Sequence, residues 1–248
     1  MRKLVAAYAC RMRGTRLYGK PLQNLDIEEG VTVLDNIISL AQTIAPIQSI
    51  VLGIAKGFAN LPFVEFAERR RIGYILGDEK DVLERLIQCG HKAQATDIFR
   101  NTSESPFCYY DIVDEVWERH LEAGNDVTCI DGTPDGSYFE IYTMEALEKS
   151  HKLGEDRHRS ELCGLYIKEH RSDFKVEVMS APRQVQRPDL RLTVDYPEDL
   201  ALCRHIYAHL KHKAPRLPLD EIIEFIDNHP ELQAMVAPYV EQGKVWHI

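Results

Sequence analysis

Between residues 10 and 22 the chain reads Cys10-Arg-Met-Arg-Gly-Thr-Arg-Leu-Tyr-Gly-Lys-Pro-Leu22. Arg11, Arg16 and Lys20 can give charge-assisted hydrogen bonds to phosphate oxygens, and Gly14 and Gly19 let backbone approach them closely. The segment reads as a triphosphate cradle. No acidic residue precedes Asp26, whereas Arg2, Lys3, Arg11, Arg13, Arg16 and Lys20 are all basic. That asymmetry suits a compact polyanion, although on charge alone a solvated basic N-terminus is the favoured alternative. Gly14 to Lys20 also fits the G-x4-G-K spacing of a P-loop, but Pro21 stands where that motif needs a Ser or Thr hydroxyl for magnesium.

Other reactive patterns are weaker. The ten histidines form no HExxH pair, no G-x-S-x-G elbow occurs, and no D-x-D tripeptide is present. Cys10 beside Arg11 invites the expectation of a lowered thiol pKa. Asp195, in Asp195-Tyr-Pro-Glu-Asp199, suits a helix N-cap as well as it suits a metal ligand. In Gly77-Asp-Glu-Lys-Asp-Val-Leu-Glu-Arg85, a Gly-Asp turn capping a helix, with Glu84 and Arg85 on its solvated face, competes with substrate contact by Asp78.

The elements that must position these groups alternate. Residues 4–10 form a short apolar run that reads as a buried first strand, and a loop leaving the C-terminal end of such a strand is where α/β folds place ligands. Strand-like runs follow at 49–55, 72–76, 97–100 and 126–130, separated by helical periodicity at 33–45, 61–71, 79–95 and 110–123, which predicts a mainly parallel sheet covered on both faces. Helices are expected at 144–152 and 160–170, strands at 174–179 and 190–194, and a helix from Pro197 to about 211. Residues 213–218 read as a linker to helices at 219–228 and 230–240. Domains are therefore expected at 1–212 and, as a small helical extension, 213–248. Leu219, Ile222, Ile223 and Ile226 make one apolar stripe, to be covered by the chain itself or by a second copy in a homodimer.

The chain has 248 residues, 44% hydrophobic and 28% charged, which excludes a disordered or collagen-like polymer. A net charge of −9 argues against a general nucleic-acid binder. No apolar run approaches the ~18 to 20 residues of a bilayer span and no signal-peptide pattern opens the sequence, so a cytoplasmic protein is expected. Cys10, Cys89, Cys108, Cys129, Cys163 and Cys203 form no CxxC pair and read as reduced core thiols.

The segment ACRMRGTRLYGKPL resembles the opening signature of the sugar-activating cytidylyltransferases, closest to the spore-coat-polysaccharide type and more distantly to the ketodeoxyoctulosonate and acylneuraminate enzymes. Gly77 to Arg85 resembles that family's GDExDVLxR segment, and Leu190-Arg-Leu-Thr-Val-Asp-Tyr-Pro-Glu-Asp-Leu200 resembles its RxTVDxPEDL segment. Three ordered matches span roughly 200 residues. The resemblance implies a nucleotide-diphospho-sugar-transferase, Rossmann-like α/β fold and Mg²⁺-dependent transfer of CMP. It places Arg11, Arg16 and Lys20 at the CTP phosphates, with Cys10, Gly14 and Asp78 beside the nucleotide. It places Asp195 at the downstream metal carboxylate, and Ser103-Glu104 at the upstream Gly-Asp pair, so that Glu104 becomes the second ligand. It also sets Asp135, Gly136 and Glu140 near the sugar. Departures are Cys10 for Ala, Arg13 for Gly, Gly14 for Ser and Tyr18 for Pro, besides Glu104 for Asp.

The chemistry accords with that set. Displacing pyrophosphate from a nucleoside triphosphate concentrates negative charge on the α-phosphate and leaving group, which calls for Mg²⁺ and fixed cations rather than a covalent nucleophile. The expected activity is CTP-dependent activation of a sugar acid of the 2-keto type for cell-surface glycan synthesis. Alternatives are a nucleotidyltransferase for a sugar phosphate or other phosphorylated acceptor, and a catalytically silent nucleotide-sugar-binding protein.

Overall fold

The structure is a computed structural model that describes residues 2–240. The strands are β1 (Leu4–Cys10), β2 (Asn24–Asp26), β3 (Val31–Thr32), β4 (Ile47–Ala55), β5 (Gly73–Gly77), β6 (Asp97–Arg100), β7 (Val127–Asp131), β8 (Glu140–Thr143) and β9 (Val176–Ser180). The helices are α1 (Val33–Ala41), α2 (Leu61–Arg70), α3 (Val82–Ala93), α4 (Val113–Ala123), α5 (Met144–Leu153), α6 (Leu165–Glu169), α7 (Pro197–Leu210), α8 (Leu219–Asp227) and α9 (Pro230–Val236). Seven strands form one sheet in the order β5-β4-β1-β6-β8-β7-β9, and β2 pairs with β3 in a separate ribbon. All neighbours in the large sheet run parallel except β8, which is antiparallel to both β6 and β7. This is the expected α/β class, a mainly parallel mixed sheet flanked by helices.

Alternation along β1 divides the core. Leu4, Ala6, Tyr8 and Cys10 join a cluster with α1, α2, α7 and α8, whereas Val5 and Ala7 join α3, α5 and α6 on the other face. Burial on both faces explains why β1 is apolar throughout its length. The chain runs outward from β1 through β4 to β5, then crosses to β6 on the other side of β1. The reversal opens a crevice beyond the C-terminal ends of β1 and β6, so the loops at 11–20 and 101–106 meet across it.

Three expectations differ. Residues 140–143 form β8, whose buried Glu140 masked its strand character. Residues 190–194 make only an isolated bridge between Asp135 and Arg191. The helix expected at 160–170 shrinks to α6. At the C-terminus, Leu219, Ile222, Ile223 and Ile226 are all buried within the chain, in the cluster that contains Ile206 and Leu210 of α7. Residues 241–248 of the expected extension lie outside the described residues. Among the described residues no helix is long and apolar enough to cross a membrane, and all six cysteines are free and buried.

Candidate active site

The crevice is a cleft of about 860 Å³ lined by the β1 loop, the start of α3, the loop after β6, and Asp195. Hydrogen bonds fold the β1 loop back on itself: Gly19 N–H donates to Met12 C=O at 2.8 Å, and Met12 N–H donates to Asn60 Oδ1 at 2.7 Å. At Gly14 a Cβ would stand 2.2 Å from the Leu17 carbonyl oxygen, so only glycine allows this turn. Arg11, Gly14, Arg16 and Lys20 all reach the cleft. The loop continues into a single 3-10 turn, Lys20–Leu22, with Pro21 buried, rather than into the long helix that a P-loop requires.

Opposite this loop stands Asp195. Its Oδ1 pairs with Lys20 Nζ and lies 3.4 Å from Arg16 Nη2, while its Oδ2 accepts from Arg191 Nη2 at 2.7 Å. The choice between cap and cleft is decided by Asp199. Asp199 Oδ2 accepts from the backbone N–H groups of both Asp195 and Tyr196 at 2.9 Å, so Asp199 serves the start of α7 and the Asp195 carboxylate is turned to the cations. Burial works against the charge on Asp195, but bonding to Lys20 and the charges around it hold the carboxyl below the usual aspartate range.

Glu104 lies on the adjacent wall. Val194 N–H donates to the Glu104 carbonyl at 2.9 Å, which stitches the loop after β6 to the segment that carries Asp195. Ser103 Oγ donates to Ala9 C=O at 2.8 Å and contacts Glu104 Oε2 at 3.2 Å. Burial pushes the Glu104 carboxyl above the usual glutamate value; Lys20 opposes that push and the neighbouring Asp195 charge adds to it. Among the described residues no three His, Cys, Asp or Glu side chains form a metal cage. Two carboxylates in a cleft still fit Mg²⁺, which takes one or two protein carboxylates and completes its shell with water and substrate phosphate.

No family model matches the sequence. It is 24% identical over 231 residues to an uncharacterized protein of Methanocaldococcus jannaschii, covering 93% of each chain. It is 26% identical over 157 residues to the spore coat polysaccharide biosynthesis protein SpsF of Bacillus subtilis, covering 62% of this chain and 65% of that one. A cytidylyltransferase from Leptospira borgpetersenii superposes with a TM-score of 0.83 at 18% identity, over 100% of both chains. CMP:2-keto-3-deoxy-manno-octonic acid synthetase complexed with CTP superposes at 0.62 with 16% identity, over 84% of this chain and 99% of that one. The chain is thus similar in sequence to SpsF and in fold to two cytidylyltransferase structures. Its fold is the Rossmann-like nucleotidyltransferase fold that these structures share.

Within that fold, some expected contacts stand apart from the cleft. Cys10 is on the opposite face of β1 from Ala7 and Ala9, which do line it, and its buried thiol is pushed up to about 12 rather than lowered. Asp78 is exposed and accepts from the N–H groups of Lys80 and Asp81 at 2.8 and 3.0 Å, which makes it a turn residue, while Asp81 caps α3. Asp135 and Gly136 sit behind Asp195: Asp135 Oδ2 accepts from Arg191 at 2.7 Å, and a Cβ on Gly136, whose φ is +88°, would meet Thr193 N at 2.6 Å. Glu140 is buried in β8 and pairs with Arg100, which lines the cleft where Glu140 itself does not.

Two arginines emerge only in the structure. Arg85 is 1% exposed, not solvated. The residue borders the cleft, and its guanidinium donates to Gly53 C=O at 2.7 Å and Cys10 C=O at 3.1 Å, and so joins the ends of β4 and β1. The one available signal was its place among Val82, Leu83, Leu86 and Ile87 on the buried side of α3. Arg191 is buried between Asp135, Asp195 and Asp199; it lay inside the third matching segment, yet nothing local in the sequence reveals three carboxylate partners.

Proposed function

We propose that this protein is a CTP-dependent cytidylyltransferase, a nucleotidyltransferase that transfers CMP to a sugar acid of the 2-keto type and releases pyrophosphate for polysaccharide biosynthesis. The observation that carries this reading is Asp195, relieved of helix capping by Asp199 and facing Lys20 and Arg16 across a cleft at the sheet's switch point. Similarity to the Bacillus spore coat polysaccharide protein, the Leptospira cytidylyltransferase and the CTP-bound synthetase supports it.

Arg11, Arg16 and Lys20 bind the β- and γ-phosphates, where leaving-group charge develops, and hold that charge in a site already oriented for it. Lys20 and Arg16 exchange the Asp195 carboxylate for phosphate oxygens as the nucleotide enters. Glu104 and Asp195 would hold Mg²⁺, which supplies Lewis-acid neutralisation of the α-phosphate. The acceptor's anomeric hydroxyl oxygen forms a bond to the α-phosphorus, the bond between the α-phosphorus and the pyrophosphate oxygen breaks, pyrophosphate leaves, and the hydroxyl proton passes to solvent. Such a site belongs where nucleoside triphosphates are made, and we place the protein in the cytoplasm.

Pyrophosphate release across CTP, ATP and GTP, each with 2-keto sugar acids and with sugar phosphates, tests the reading. Turnover confined to CTP and a keto acid is expected. Turnover only with a sugar phosphate would replace the acceptor, and no turnover or nucleotide-induced stabilisation would replace the enzyme with a silent binding protein.

A further inference from the structure

The C-terminal segment reaches the phosphate loop through an aromatic stack. The guanidinium carbon of Arg16 lies 4.9 Å from the centroid of the Tyr196 ring, and Arg16 Nη1 donates to the Tyr196 hydroxyl at 3.4 Å. Tyr196 stacks in turn on Tyr239, with centroids 4.0 Å apart and planes inclined by 14°. Both ends of the stack are anchored. Tyr196 is held at the start of α7 by the Asp199 carboxylate. Tyr239 ends the turn Ala237–Tyr239, which follows directly from Val236, a residue buried in the core. Arg16 has no such anchor: it projects from a loop, is 40% exposed, and otherwise meets Asp195 at 3.4 Å.

A long exposed side chain that must be ordered when a ligand arrives spends binding energy on that ordering. A ring that already holds the guanidinium by cation–π attraction removes part of the cost. We propose that Tyr239 is a positioning residue for Arg16, acting through Tyr196, so that the C-terminal segment completes the triphosphate cradle. This rests on the reading of Arg16 as a triphosphate contact. Tyr239 does not line the cleft; it fixes the plane on which the Tyr196 ring meets Arg16.

The test is calorimetric titration of the full chain with CTP and with CMP, which lacks the β- and γ-phosphates. Arg16→Ala is expected to weaken CTP about tenfold, the loss of a charge-assisted contact. Tyr239→Leu is expected to weaken CTP about threefold, the size of an exposed cation–π interaction, and to leave CMP unchanged. Tyr239→Phe keeps the ring, loses only the hydroxyl shared with Glu198, and should bind CTP within about twofold of the parent. In an Arg16→Ala background, Tyr239→Leu should add nothing. Tyr239→Gln suits the half-exposed position, carries the same expectations, and serves if the leucine variant loses its fold. Unchanged CTP binding in Tyr239→Leu, an equal loss for CTP and CMP, or a full loss persisting without Arg16 would overturn the proposal. Normal CTP binding in Arg16→Ala would instead overturn the reading of Arg16 beneath it.

Discussion

The two ends of the β1–β6 strand pair carry charge clusters of similar composition and opposite design. At the foot, Asp97 accepts from Arg2 Nε at 2.8 Å and Thr96 Oγ1 at 2.7 Å and lies 3.2 Å from His120 Nε2, while His120 Nδ1 faces Thr128 Oγ1 at 2.9 Å. The side chains of His120 and Asp97 are 0% exposed. At the head, Asp195 spends one oxygen on buried Arg191 and turns the other to Lys20 and Arg16, which border an open cleft. The foot satisfies its own polar groups and closes; the head presents cations that a polyanion can recruit. Composition alone does not separate structural from functional charge. What separates them is whether the network's partners are all supplied by the chain.

The largest expected effect comes from neutralising the head. Asp195→Asn should lower turnover ~10²-fold or more, because phosphate-charge neutralisation is central to the step, while its melting temperature holds since Asp199 does the capping. Pyrophosphate release and circular dichroism melts check both halves; a variant that melts early with normal turnover would make the two ends alike. Asp97→Ala is the converse, expected to cost about 3 kcal/mol in urea unfolding by stranding Arg2 and His120, with turnover intact.

A smaller contrast lies in pH. Burial raises the Asp97 pKa, but hydrogen bonds from His120, Arg2 and Thr96 outweigh it and the carboxyl sits below its ordinary value. Asp97 therefore contributes stability above the unfolded pKa of about 3.9, lost as pH falls through the folded value. Glu104, raised chiefly by burial, has the reverse sign: the folded chain binds its proton more readily, so stability declines as pH rises from about 4.3 through the raised value. Melting curves on Glu104→Gln should lose that decline, and an unchanged slope would detach Glu104 from it. The smallest effect is Cys10→Ala, which should leave CTP affinity within about twofold because the thiol faces the core. A tenfold loss would return Cys10 to the nucleotide site.

Much of this was legible along the chain because the signals were local. The apolar run of β1, the glycine-bearing basic loop after it, and the strand–helix alternation depend on neighbours within one element, and they point to the mouth of a parallel sheet, where the structure has its cleft. The charge types of Arg11, Arg16, Lys20, Glu104 and Asp195 were likewise readable, and the structure brings those five side chains to one cleft. The short strand β8 escaped notice because Glu140 looks solvated until Arg100, 40 residues away, is placed beside it. Arg85 turns inward to carbonyls at Cys10 and Gly53, and Cys10 faces away from its own loop. The sequence by itself determined the strand–helix alternation of the large sheet from β1 to β7 and the chemical groups available at the ends of those elements. Only the tertiary structure decided which of two nearby carboxylates caps α7 and which meets the cations. That choice depends on Arg191 and Lys20 arriving from different segments, and on a burial balance that no single segment contains.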